Sequence, residues 1–176
     1  YAPTWEGFNE EANYSSVNAY GLAMMEALAR CGDLRVVFKP HPYTGHSNPN
    51  EAGEYLKKML QVAEKSGIKV VDSKEGIFDC MNESDLLITD VSSVLNDYLF
   101  TLKPMILTNP KARPHDELRK DYPSSRATYI LDEGAGIGAL IADIIRDDSM
   151  FSDRKSVCAD SLGEFPRGSR AISPSR

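Results

Sequence analysis

Cysteine is scarce: Cys31, Cys80 and Cys158 are the only three in 176 residues, far apart and odd in number. That excludes a complete disulfide framework, and with no CxxC or Cys/His cluster it excludes a zinc module. Three reduced thiols in a cytosolic protein is the plain reading. No apolar run approaches the ~20 residues of a membrane span, and no signal-peptide pattern stands at the start. Basic excess is missing too. The formal net charge is -6, so nothing global favours nucleic acid or an anionic membrane surface. No GxSxG, HExxH, P-loop or paired-glycosidase pattern occurs, and there is no internal repeat. What remains is 41% hydrophobic residues, enough for one globular domain with a real core.

The order of elements points to an α/β class. Helical spacing runs from Ser15 to Cys31, with a serine to cap it and Gly32 beyond its end. Leu34 to Phe38 reads as a strand that stops at Lys39-Pro40-His41-Pro42, where two prolines stiffen the loop. A helix over 50–66, a strand over 68–71 and a short helix over 76–82 follow. Later come a charged loop with a short helix over 108–126, a strand over 128–131, and helices over 133–146 and 148–160. Strands separated by helices throughout imply a parallel sheet covered on both faces. Residues 1–160 are thus expected to form one domain, and 161–176 an irregular tail. The start, Tyr1-Ala-Pro-Thr-Trp5, reads as a strand end running into a loop, in a piece of a longer protein.

Asp85 to Leu107, DLLITDVSSVLNDYLFTLKPMIL, is the most informative stretch. Buried strand, polar turn, helix and buried strand succeed one another. The turn falls at the carboxyl end of a parallel strand, where open α/β sheets place ligands. A helix start there presents backbone N–H groups and partial positive charge to a phosphate. Thr89, Asp90, Ser92, Ser93 and Asp97 are therefore candidates for substrate binding. Asp90 could orient the loop or simply cap the helix. Asp97 could accept from ribose hydroxyls or be an exposed helix charge. His41 ends another strand at the same edge and is the catalytic candidate, able to donate to a phosphate or protonate a leaving oxygen. The glycine spacing Gly134-Ala-Gly-Ile-Gly138 is a weak dinucleotide signal and reads as a flexible helix entry. Lys111, Arg113, His115, Arg119, Lys120 and Arg126 form a basic block: either a solvated face or a contact for a polyanionic acceptor or lipid phosphates. No metal site and no cofactor is expected.

YAPTW, VVFKPHP and LLITDVSSVLNDYLFTLKPMIL stand in the order and approximate spacing of the CDP-glycerol glycerophosphotransferases, the teichoic-acid polymerases and primases of bacterial cell walls. The chain resembles the carboxyl-terminal, donor-binding half of that family over roughly residues 1–107. The resemblance implies a Rossmann-like three-layer domain with a parallel sheet, the second half of a GT-B glycosyltransferase fold. It also implies metal-independent transfer of glycerol phosphate from CDP-glycerol to a lipid-linked polyol-phosphate or glycan acceptor. His41 and Ser92-Ser93 would contact the donor diphosphate, Asp90 would support their loop, and Asp97 would lie toward the ribose. The acceptor-activating base would sit on an amino-terminal domain outside this chain. Nucleic acid is not an implied partner. The place implied is the cytoplasm, on the inner face of the membrane.

Family members commonly carry Arg after APTW, where Glu6 stands here, and TDYSS and FDY where Val91 and Asn96 stand. The section over 108–129 also leaves the usual aspartate- and tyrosine-rich pattern. A ribitol-phosphate or sugar donor is compatible with these departures. Two other readings keep the fold: a nucleotide-sugar glycosyltransferase or UDP-sugar epimerase, and a noncatalytic binding module.

Overall fold

Apolar residues of the central strands point alternately to two opposite faces. A computed structural model describes residues 1–46, 51–72 and 74–162. Its middle strands are β1 Val37–Phe38, β2 Lys69–Val70, β3 Leu87–Thr89, β4 Met105–Thr108 and β5 Tyr129–Leu131. Leu87, Met105 and Leu107 pack with Leu95, Tyr98 and Leu99 on one side of the sheet. Ile88, Ile106 and Leu131 pack with Met24, Leu28 and Ile141 on the other. Burying each such side chain contributes about 1.5–3 kcal/mol, and a sheet with two buried faces reads in sequence as unbroken apolar runs.

Helices cover both faces. Helices α1 Leu22–Ala29, α2 Ala52–Ser66 and α6 Ile137–Arg146 lie on the Ile88 side. Helices α3 Phe78–Glu83, α4 Ser93–Leu99, α5 His115–Asp121 and α7 Phe151–Leu162 lie on the other. The result is an α/β, Rossmann-like domain.

The first two residues join two parallel strand groups into one sheet. On one side the Tyr1 nitrogen donates to the Val37 carbonyl at 2.7 Å, and Lys39 N–H donates to the Tyr1 carbonyl at 2.9 Å. On the other, Ala2 N–H donates to the Ile88 carbonyl at 2.9 Å, and Ala2 bridges Thr89 in parallel. With β1 paired to β2, and β3-β4-β5 in line, the order is β2, β1, Tyr1–Ala2, β3, β4, β5. Counted along the chain this is 3-2-1-4-5-6, the order of a doubly wound nucleotide-binding sheet.

Several elements differ in detail from their sequence patterns. The helix expected over 15–31 opens with a π-helical turn, Val17–Gly21, and ends at Ala29. The wide turn brings Tyr20 under the sheet edge, where its hydroxyl donates to the Leu131 carbonyl at 2.8 Å and accepts Asn109 N–H at 2.9 Å. Gly32 lacks the left-handed conformation of a helix stop; Gly67, closing α2 with φ 72°, has it. The glycine-rich entry to α6 is a 3-10 turn, Gly134–Gly136, and its first glycine serves close approach rather than flexibility. A β-carbon on Gly134 would lie 2.6 Å from the Tyr20 carbonyl oxygen. Helix α7 runs on to Leu162, through the first two positions of the expected tail; Asn50 and 163–176 lie outside the described residues.

Candidate functional site

The strand order reverses between Tyr1–Ala2 and β3, and at such a reversal the loops leaving the carboxyl ends of an open α/β sheet part to leave a crevice. Asp90, directly after β3, lies beneath it with none of its surface exposed. One carboxylate oxygen accepts Thr4 N–H at 2.8 Å and Ser16 N–H at 3.2 Å; the other accepts the Thr108 hydroxyl. A single side chain thus ties together the loop after the leading strand, the entry to the π-helical turn and the end of β4. Burial pushes its carboxyl up to about 6, against the opposing pull of these hydrogen bonds. Thr89 is equally buried and donates to the Ala2 carbonyl at 2.7 Å. Both residues face protein, not the opening.

Above them, Ser92 starts α4 in extended conformation, and its hydroxyl caps none of the helix amides. It lies 3.5 Å from the Thr89 hydroxyl, with either group able to donate, and is half-buried. Ser93 and Asp97 are exposed on a neighbouring face of the helix. Asn96 shares the face of Ser92, four residues on, and with it lines a cleft between α4 and the turn Pro123–Ala127, where its side-chain oxygen accepts the Ser124 hydroxyl. Asn96 stands at a motif position where the residue departs from the family, and its i, i+4 spacing from Ser92 could have found it. Val91 lines that cleft too, so both positions at which this segment departs from the motif face one space.

His41 sits on the far side of the leading strand, two strand spacings or about 10 Å from the Asp90 loop. Its Nδ1 accepts Tyr43 N–H at 3.1 Å, which in the neutral ring leaves Nε2 carrying the proton. Partial burial lowers its pKa below the ordinary histidine value, helped by the Lys39 charge and opposed by Glu6. It is therefore a neutral donor at pH 7. The Trp5 ring lies nearly parallel to it at 6.2 Å, and Tyr43 packs edge-on against Trp5 at 5.6 Å. Glu6 is buried and accepts Gly45 N–H at 3.0 Å, which locks the two loops together.

The basic block is not one open face. Lys111 donates to the Glu10 and Glu11 carbonyls and lies over the Tyr14 ring at 4.4 Å. Arg113 pairs with Asp121 at 2.5 Å, and His115 with Asp132 at 3.0 Å. Asn109, after β4, donates to Asp132 at 2.7 Å and to the Arg113 carbonyl at 2.9 Å, which shapes the loop over 109–113. Tyr20, Asn109 and Asp132 form a second layer under the edge that no motif announced. Among the described residues, no group of three or more His, Cys, Asp or Glu side chains is assembled that could hold a metal ion.

The profile of the family described as CDP-Glycerol:Poly(glycerophosphate) glycerophosphotransferase matches residues 1–130, nearly the whole sheet and every loop of the crevice. The chain belongs to that family. No curated protein and no solved structure gave a significant match. Membership makes it a protein of a transferase family, built to meet a nucleotide-linked donor and an acceptor. The buried Thr89 and Asp90 hold loops together, while His41 and Ser92 are each only half-buried.

Proposed function

We propose that this domain binds CDP-glycerol, or a related CDP-linked polyol, and takes part in transferring its polyol phosphate to a lipid-linked acceptor in the synthesis of a teichoic-acid-like cell-wall polymer. The observation that carries the reading is the crevice at the reversal of strand order, with His41 and Ser92 on its two sides, inside the stretch that matches the family. In the transfer, an acceptor hydroxyl oxygen bonds to the polyol-bearing phosphorus and the bridging P–O bond breaks. CMP leaves with the bridging oxygen and its charge, and the acceptor proton passes to a base outside this chain. His41 Nε2–H would donate to the diphosphate as that charge grows, and Ser92 and Ser93 would donate from the other side. Thr89 and Asp90 would hold the loops that aim them.

In this reading the domain works in the cytoplasm, peripheral on the inner face of the membrane, with an amino-terminal domain as its partner; among the described residues no helix is long and apolar enough to cross a membrane. Residues 1–160 act as the donor-binding unit. Titration calorimetry with CDP-linked polyols, CMP and UDP-sugars tests the reading.

A further inference from the structure

The loop that leaves the leading strand returns almost to its own starting point. Asp90 holds its neck: one carboxylate oxygen accepts both Thr4 N–H and Ser16 N–H. The Ser15 hydroxyl adds a bond to the Thr4 carbonyl at 2.9 Å. Residues 5–14 between those points form an Ω-shaped loop, a form often used at functional sites. Gly7 turns it with φ 71°, and the Asn9 side chain closes its tip by accepting Ala12 N–H at 2.8 Å. Residues 8–12 are all exposed, so little burial holds the tip in place.

Lys111, from the loop after β4, reaches that tip. Its ammonium donates to the Glu10 and Glu11 carbonyls at 2.8 and 2.7 Å and lies 4.4 Å from the centre of the Tyr14 ring. The neck sits at the end of β3 and this tether beyond the end of the neighbouring β4, so the loop crosses the carboxyl ends of both strands. Its two limbs rest on opposite sides of the candidate site. Trp5 stacks near His41, and Tyr14 packs edge-on at 5.6 Å against Tyr122, which lines the cleft beside Ser92. Breaking the Lys111 contacts frees the tip and leaves the neck bonds on Asp90 intact.

We propose that residues 5–14 are a flap over the crevice, latched by Lys111, that lifts for a ligand to enter or leave. The ligand, a nucleotide-linked donor, rests on the proposed function; the latch does not. The test compares the full 176-residue chain with Lys111→Met and with Tyr14→Leu, which removes the ring under the ammonium and leaves every charge in place. Melting curves establish that each variant is folded. A glutamate-specific protease can cut after Glu10 or Glu11 only when their carbonyls leave Lys111, and such cleavage follows the open population. It should be on the order of tenfold faster in both variants, with cleavage after Glu133 unchanged. Lys111→Arg, still able to donate to two carbonyls, should behave as wild type. Stopped-flow mixing with CDP-glycerol, followed by the fluorescence of Trp5, should show association and dissociation both about three- to tenfold faster in the unlatched variants. Wild-type cleavage rates in both variants overturn the latch. Faster cleavage with unchanged binding rates overturns the gate, as does faster dissociation alone, which makes Lys111 a mere ligand contact. A wild-type chain that does not bind CDP-glycerol overturns the donor reading and the gate with it, while the cleavage rates still decide the latch.

Discussion

The Asp90 carboxylate accepts the backbone N–H of Thr4 at 2.8 Å across 86 residues of sequence. The same oxygen takes Ser16 N–H, and the other takes the Thr108 hydroxyl. One side chain thus ties three segments at the carboxyl edge of the sheet. Asp90→Ala leaves three donors without a partner in a buried place, at about 1–3 kcal/mol each. The variant should lose at least about 3 kcal/mol in chemical denaturation. Asp90→Asn, which can still accept the two backbone N–H groups, should lose distinctly less.

Asp90 also sets a pH dependence. Its carboxyl is raised from 3.8 to about 6 in the folded protein. Between those values the folded chain keeps a proton that the unfolded chain has lost. Stability from this group is therefore greatest at low pH, falls as pH rises from about 4 to about 6, and is flat above. Two pKa units correspond to about 3 kcal/mol. Denaturation of wild type and Asp90→Asn across pH 4–7 should show this slope in the first and not in the second.

His41 should make ligand affinity depend on pH. Free, its pKa is held below 6.5 by burial and by Lys39; beside a diphosphate it should rise. Affinity for a CDP-polyol, whose doubly esterified phosphates keep a fixed charge, should therefore strengthen as pH falls from 8 to 6, with proton uptake on binding. His41→Ala should weaken binding by about 1–3 kcal/mol and remove the pH dependence. Calorimetry in buffers of different ionisation heat reads both effects.

Gly134 is predicted to be intolerant of any side chain. A β-carbon there meets the Tyr20 carbonyl at 2.6 Å and the Met24 nitrogen at 3.0 Å, both backbone atoms that cannot swing aside. Gly134→Ala should cost about 1–3 kcal/mol, read as a lower melting temperature. Gly136→Ala, with open space at its β-carbon, should be close to neutral.

Much of this architecture was legible in the sequence where local signals agree. The apolar runs and the helical spacings set their elements to within a few residues. Strand order was not legible, because the pairing of Ala2 with Thr89 is a contact between distant residues that leaves no local pattern. For the same reason Thr89 could not be told from Ser92 as a residue below the opening, whereas the resemblance already implied that Asp90 supports its loop. Asn96 shares the face of Ser92 through its spacing along α4, a signal that its residue type alone does not carry. The π-helical turn went unseen, since it arises from the fit of Tyr20 beneath β4 and β5.

Titration calorimetry of the wild-type chain with CDP-glycerol and CDP-ribitol, set against UDP-glucose, tests the central claim most directly. The account predicts saturable binding of at least one CDP-linked polyol, lost or much weakened in His41→Ala, with UDP-glucose bound markedly less well. Binding of UDP-glucose without either CDP-polyol would contradict it.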